Sequence, residues 1–152
     1  MTERCFVDAN VLVYAYDASA AHKAQRARAV LDALESCRAG LLSTQVLAEF
    51  FTAVTRRIPE RLSMEEAARS VTRYVGAWVV ADVTPLVVLE AIRGVQTYPF
   101  SYWDAQIWAT AKLNQAPVVL TEDFQDGRVI EGIEFRNPFA PTFDLATLAP
   151  SL

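Results

Sequence analysis

"RCFVDANVLVYAYD", residues Arg4–Asp17, runs an apolar stretch into a carboxylate and turns apolar again from Val11 to Tyr16. Cys5–Val7 has the length and composition of a buried strand, and a helix is predicted from about Val11. Asp8 therefore falls where a buried strand ends. Taken alone, it is equally a strand stop that caps the next helix and an acid delivered to the edge of a sheet. The choice depends on what the rest of the chain brings to that edge.

Outward from this stretch, apolar runs of strand length alternate with helical patterns, and there is no internal repeat, low-complexity segment or linker. Ser19–Arg38 spaces Ala24, Ala27, Val30, Leu31 and Leu34 as a helix does. Gly40–Thr44 is a short strand opening into a helix from Gln45 to about Arg57. Ser63–Gly76 begins Ser-Met-Glu-Glu, a capping-box pattern that pairs Ser63 with Glu66. Trp78–Val83 is a third strand, and Pro85 to about Val95 and Ser101 to about Asn114 are helices. Pro117–Thr121 is a fourth strand and Ile133–Asn137 a possible fifth. Strands separated by helices imply crossover connections. The expected fold is α/β, with a central, mostly parallel sheet of four or five strands and helices on both faces. The 152 residues suit one domain spanning the chain. In such sheets the functional crevice lies at the carboxyl ends of the strands.

Three further acids belong at that end. Glu49, in "STQVLAEFFTAV", lies within two turns of the start of the helix after the second strand and shares a stripe with Val46 and Ala53. The bland reading is a partly exposed Glu at the margin of that stripe. Asp104, in "SYWDAQIWATAK", aligns with Ile107, Trp108 and Ala111, although Ser101 and Asp104 could equally form a capping box. Its helix leads into the fourth strand, so its first turn lies at the carboxyl edge. Asp123 closes "VVLTED" just past that strand, while the neighbouring Glu122 and Asp126 read as ordinary turn acids. Four carboxylates at one edge repel one another and raise each other's pKa. A divalent cation is the simplest way to satisfy them, and an all-oxygen donor set suits Mg²⁺ or Mn²⁺ rather than Zn²⁺.

Composition removes most other chemistries. The net charge of −4 argues against nucleic-acid binding by bulk charge, though not against handling phosphate through a metal ion. Twelve of the 14 basic residues are Arg. Arg56, Arg57 and Arg61 cluster as candidate substrate contacts or as a solvated helix end. The single histidine, His22, sits in a polar segment, which leaves no basis for a Ser-His-Asp or Cys-His hydrolase. No glycine-rich phosphate loop occurs. Cys5 and Cys37 have no metal-like spacing and suit a cytoplasmic protein with reduced thiols. The apolar stretch Ala77–Ile92 is broken by Asp82, Pro85 and Glu90, so no membrane span is expected, and no secretory segment is read at the start. Tyr102, Trp103 and Trp108 read as core or dimer surface rather than as platforms for stacked bases.

The order and spacing of "FVDANVLVYAYD", "STQVLAEFF", "SYWDAQIWATA" and "VVLTEDFQDG", with "IEFRNPF" near the end, resemble PIN-domain ribonucleases, specifically the VapC-type toxins of toxin–antitoxin pairs. The likeness covers nearly the whole chain. It implies that Asp8, Glu49, Asp104 and Asp123 form an acidic set that binds one or two Mg²⁺ or Mn²⁺ ions. It also implies a sheet with the first strand in the middle, an endonucleolytic cut in RNA, a homodimer, and a small antitoxin that inhibits the site. Asn10 is a secondary site residue. Ala9 departs from the Thr or Ser usual in the family, and Thr121 or Ser43, near strand ends, could supply the missing hydroxyl. The expected activity is metal-dependent endoribonuclease. The alternatives are a catalytically weak or inactive PIN-like interaction module and, further off, a haloacid dehalogenase-type phosphatase using Asp8 as nucleophile.

Overall fold

The computed structural model describes residues 3–148. Six strands form one sheet: β1 (Cys5–Val7), β2 (Gly40–Ser43), β3 (Val79–Ala81), β4 (Val118–Leu120), β5 (Val129–Ile130) and β6 (Ile133–Arg136). Their order is β3-β2-β1-β4-β6-β5, parallel throughout except for the antiparallel β5–β6 pair. β1 stands inside the sheet between β2 and β4, and all three of its residues are buried. That position explains why this short run has no polar residue: a strand covered on both faces has no polar side.

The expectation of four or five strands is one short. The extra strand is β5, which turns back into β6 through Glu131 and Gly132, both at positive φ (50° and 83°). A two-residue turn of that hand matches the natural twist of a hairpin, and the glycine supplies one of the two conformations without strain. The predicted third strand is trimmed to Val79–Ala81, and Trp78 instead fills the space over Gly40, where an added Cβ would stand 2.1 Å from the indole.

Six helices connect the strands: α1 (Ala9–Tyr14), α2 (Ala21–Cys37), α3 (Thr44–Arg56), α4 (Met64–Ala77), α5 (Pro85–Thr97) and α6 (Tyr102–Leu113). They pack in two groups, α1 with α2 and α3 and then α3 with α4 in one, α5 with α6 in the other. Their starts follow from side chains that satisfy the orphan N–H groups of a first turn. Ser63 and Glu66 form the predicted capping box (3.1 and 3.2 Å), Thr84 caps α5 with Pro85 at its first position, and Ser101 caps α6. Phe6, Leu41, Leu42, Val119 and Phe135 from the sheet meet Leu12, Phe50 and Trp108 from the helices in one core. No helix among the described residues is long and apolar enough to cross a membrane.

Candidate active site

The register between β1 and β4 sets Val7 beside Leu120, so the residues after each strand, Asp8 and Thr121, emerge side by side. The backbone N–H of Asp8 continues the ladder by donating to the Leu120 carbonyl at 3.0 Å. Asp8 is both things that its sequence position allowed. One carboxylate oxygen accepts from the N–H of Ala9 at 2.7 Å and caps α1, while Oδ2 accepts from the Thr121 hydroxyl at 2.9 Å. The side chain is only 4% exposed. Burial pushes its pKa up to about 7, against the pull of the Thr121 and Ala9 hydrogen bonds, and the negative charges of Asp123 and Glu49 push the same way.

Thr121 brings a hydroxyl against Asp8, where Ala9 has none to offer. Its Oγ1 donates to Asp8, accepts from the backbone N–H of Asp123 at 3.1 Å, and lies 3.0 Å from Asn10 Nδ2. Ser43, the other candidate, is spent on capping α3, where it accepts from the N–H of Val46 at 3.2 Å. The amide of Asn10 spans the gap between the acids: Nδ2 lies 3.1 Å from Asp123 Oδ2 and 3.3 Å from Asp8 Oδ2. Two protons serve three acceptors there, so Asn10 holds both carboxylates without saturating either.

Asp8, Asn10, Glu49 and Asp123 line one crevice of about 690 Å³ at the carboxyl edge. Glu49 is exposed on the crevice wall rather than set in the core-facing stripe, and the Nε2 of Gln45 donates to it at 2.9 Å. Asp104 is half-buried in the first turn of α6, beside the crevice but not among its lining residues. Its pKa is raised by burial and further by the charge of Asp123, and opposed by Ser101, whose hydroxyl also accepts from the Asp104 N–H at 3.2 Å. The Ser101–Asp104 pair thus supplies the serine half of a cap. Among the described residues no group of three or more His, Cys, Asp or Glu side chains is arranged to hold a metal ion. The four acids lie at the carboxyl edge, where Asp8 feels the charges of Asp123 and Glu49, and Asp104 that of Asp123.

Arg57 lines the crevice, whereas Arg56 and Arg61 are exposed outside it, which divides the predicted arginine cluster. His22 is exposed. Trp108 is fully buried, yet Trp103 is 62% exposed at the crevice mouth, contrary to a core role for it. Three features were not read from the sequence, two of them without any local signal. Glu122, expected to be an unremarkable turn acid, is held by Lys23 at 2.9 Å and by the Tyr14 hydroxyl at 2.7 Å, across about a hundred residues of chain. Gln106 and Gln45 join α6 to α3 at 2.8 Å. Asp17 lines the crevice wall and caps a 3-10 turn through the N–H of Ser19 at 3.0 Å; the Asp-x-Ser spelling was a usable cue.

Sheet order, the buried acid at the end of β1 and the acid-lined crevice define an α/β domain built to present carboxylates at a switch point of strand order. The profile of the PIN domain family matches residues 5–129, and the chain belongs to that family. Among solved structures it is similar to a toxin–antitoxin complex from Klebsiella pneumoniae, with a TM-score of 0.65 at 17% identity over 89% of this chain and 98% of that one. It is also similar to a DNA-bound VapBC from Salmonella typhimurium, with a TM-score of 0.64 at 16% identity over 90% and 98% of the two chains. The sarcin–ricin-loop-cleaving toxin VapC20 of Mycobacterium tuberculosis gives 0.59 at 20% identity over 76% and 86%. At these identities the likeness is one of fold. Among curated proteins, none matches the sequence at a significant level.

Proposed function

We propose that the chain is a divalent-metal-dependent endoribonuclease and the toxin of a VapBC-type pair. The observation that carries this reading is Asp8: a buried carboxylate aimed at a crevice that holds Asp123 and Glu49, with Arg57 the one cation among the crevice's described lining residues. Family membership and the toxin–antitoxin assemblies among similar structures support it.

The donors fit Mg²⁺ or Mn²⁺ in kind. They are hard oxygens, few in number and loosely spaced, which suits an ion that keeps several waters. Asp8 and Asp123, bridged by Asn10, would hold it, with Glu49 and Asp104 at its margins. When bound, such an ion neutralises charge developing on a phosphate and makes a water more acidic. The residues of the chain do the rest. Thr121 and the Ala9 N–H fix the Asp8 carboxylate, Asn10 sets the spacing to Asp123, and Arg57, on the crevice wall, would hold the RNA backbone. Leu86, Leu89, Ile92 and Val95 are exposed along α5 and support a homodimer, and a small inhibitory antitoxin and a cytoplasmic location complete the proposal.

The test is RNA cleavage with Mn²⁺, with and without chelator, by wild type and Asp8→Asn. Loss of cutting in both cases is expected; undiminished cutting by the variant overturns the reading. A catalytically weak module is the second reading, favoured by Ala9 and by the spread of the acids, and failure of wild type to bind Mn²⁺ in calorimetry would decide for it. A phosphatase using Asp8 as nucleophile lacks support. Asn10 stands where its second acid belongs, Lys23 is engaged by Glu122, and Lys112 by Glu90 and Glu131.

A further inference from the structure

We propose that Trp103 is the stacking platform for one unpaired nucleobase of the RNA, seated in a groove that opens off the acid crevice. The inference rests on the nuclease reading and extends it to the substrate, which must present at least one base outside a duplex. Trp103 occupies the first turn of α6 and leaves 62% of its surface exposed, while Trp108 one turn and a half further on is fully covered. Trp103 lines both the crevice and a second groove of about 520 Å³, whose other walls include Thr44, Ala48, Val83 and Gln106. Glu49 is the second residue common to the two cavities, so the platform stands beside one of the site's acids.

The ring and that acid are braced together. Tyr102 packs edge-on against the indole at 5.1 Å and 80°. Gln45 Nε2 donates to the Trp103 carbonyl at 3.3 Å and to Glu49 at 2.9 Å. Gln106 donates to Gln45 Oε1 at 2.8 Å and accepts from the Tyr102 hydroxyl at 2.7 Å, which fixes both amides. These polar groups are committed to one another, so the groove offers a face to stack on rather than edges to read.

Charge decides what lies where. The groove has no Lys or Arg among its described lining residues, and its charged wall is Glu49. A phosphate is repelled there, whereas a flat, neutral base is not. The crevice carries Arg57 on the side of Ile58 and Pro59, and that is where a backbone phosphate finds a cation. The strand therefore crosses with its phosphates toward Arg57 and one base turned toward Trp103. A base inside a duplex has both faces covered by its neighbours, so the platform selects unpaired nucleotides.

Binding and cutting of a short single-stranded RNA carrying 2-aminopurine, and of its duplex with the complement, are measured with Mn²⁺ for wild type, Trp103→Phe and Trp103→Ala. The expected result is quenching of the 2-aminopurine by wild type and the Phe variant, with about tenfold weaker single-strand binding and no quenching for the Ala variant. The Ala substitution should leave duplex binding unchanged. Equal quenching and affinity in wild type and Trp103→Ala, with the RNA still cut, overturns the platform while leaving the nuclease intact. So does a Trp103→Ala protein that sediments as a smaller assembly yet stacks the base as before, which assigns the indole to a contact between copies. If wild type neither binds nor cuts RNA, the nuclease reading fails and takes the platform with it.

Discussion

Helix α6 begins in one charge cluster and ends beside another, and the two are built on opposite rules. At its end, Lys112 and Arg93 meet Glu90 and Glu131, with contacts of 2.8 Å from Lys112 and 2.6 Å from Arg93 to Glu131, and the Tyr98 hydroxyl adds another at 2.6 Å. Lys112, Tyr98 and Arg93 together hold the Glu131 carboxyl down to about 2. At its start, the crevice sets five acids against Arg57 among its described lining residues, and Asp8 is pushed up to about 7. Where charge serves the fold, the chain supplies both signs. Where it serves the proposed chemistry, one sign is outnumbered and must be made up from outside.

The largest expected effect removes the unmatched charge. Asp8→Asn should cut RNA cleavage with Mn²⁺ by more than about a hundredfold while making the metal-free protein more stable at pH 8. The sign follows from a folded carboxyl at about 7 against 3.8 for the free group. Its stabilising contribution is whole below pH 4 and is lost as pH rises to about 7, a change of at most about 4 kcal/mol. Thermal melts in chelator should therefore fall across that window for wild type and much less for the variant. An identical slope in both would show that Asp8 is not the strained group.

Removing the hydroxyl that orients Asp8 is expected to do less. Thr121→Val should reduce kcat about tenfold, and Thr121→Ser should restore it, in the same cleavage assay. On the matched side, Glu131→Gln should cost about 1 kcal/mol or less at pH 7, because the cluster is largely solvated. Glu131 is held below its usual 4.5, so its contribution is present above that pH and fades as pH falls towards about 2, which denaturant midpoints at pH 7 and pH 2.5 would reveal. Cleavage by that variant should not change. The smallest effect is on RNA contact: Arg57→Ala should raise KM about threefold, whereas Arg56→Ala and Arg61→Ala should leave it where it is.

Much of this was legible because it is local. A three-residue apolar run, an acid and a resumed helix fixed β1, Asp8 and α1, and Ser63 with Glu66 fixed the start of α4. The β5–β6 hairpin escaped because β5 is two residues long and its turn, Glu131–Gly132, is an uncommon spelling of a familiar geometry. Ala9 left a hydroxyl to be found, and the sequence offered Thr121 and Ser43 alike; only β1 laid beside β4 brings Thr121 against Asp8. The same holds for Lys23 with Glu122 and for Gln45 with Gln106: each partner is ordinary alone, and only the packing of distant segments gives it work.

The bond between the Thr121 hydroxyl and Asp8 closes a span of 113 residues. During synthesis Asp8 leaves the ribosome 113 residues ahead of its orienting hydroxyl, and its partner Asp123 follows later still. At about 5 to 20 residues per second that interval lasts several seconds. A growing chain thus carries its principal acid without a site around it, and a protein that cuts RNA would become competent only after the segment of Thr121 and Asp123 has also cleared the machinery that made it.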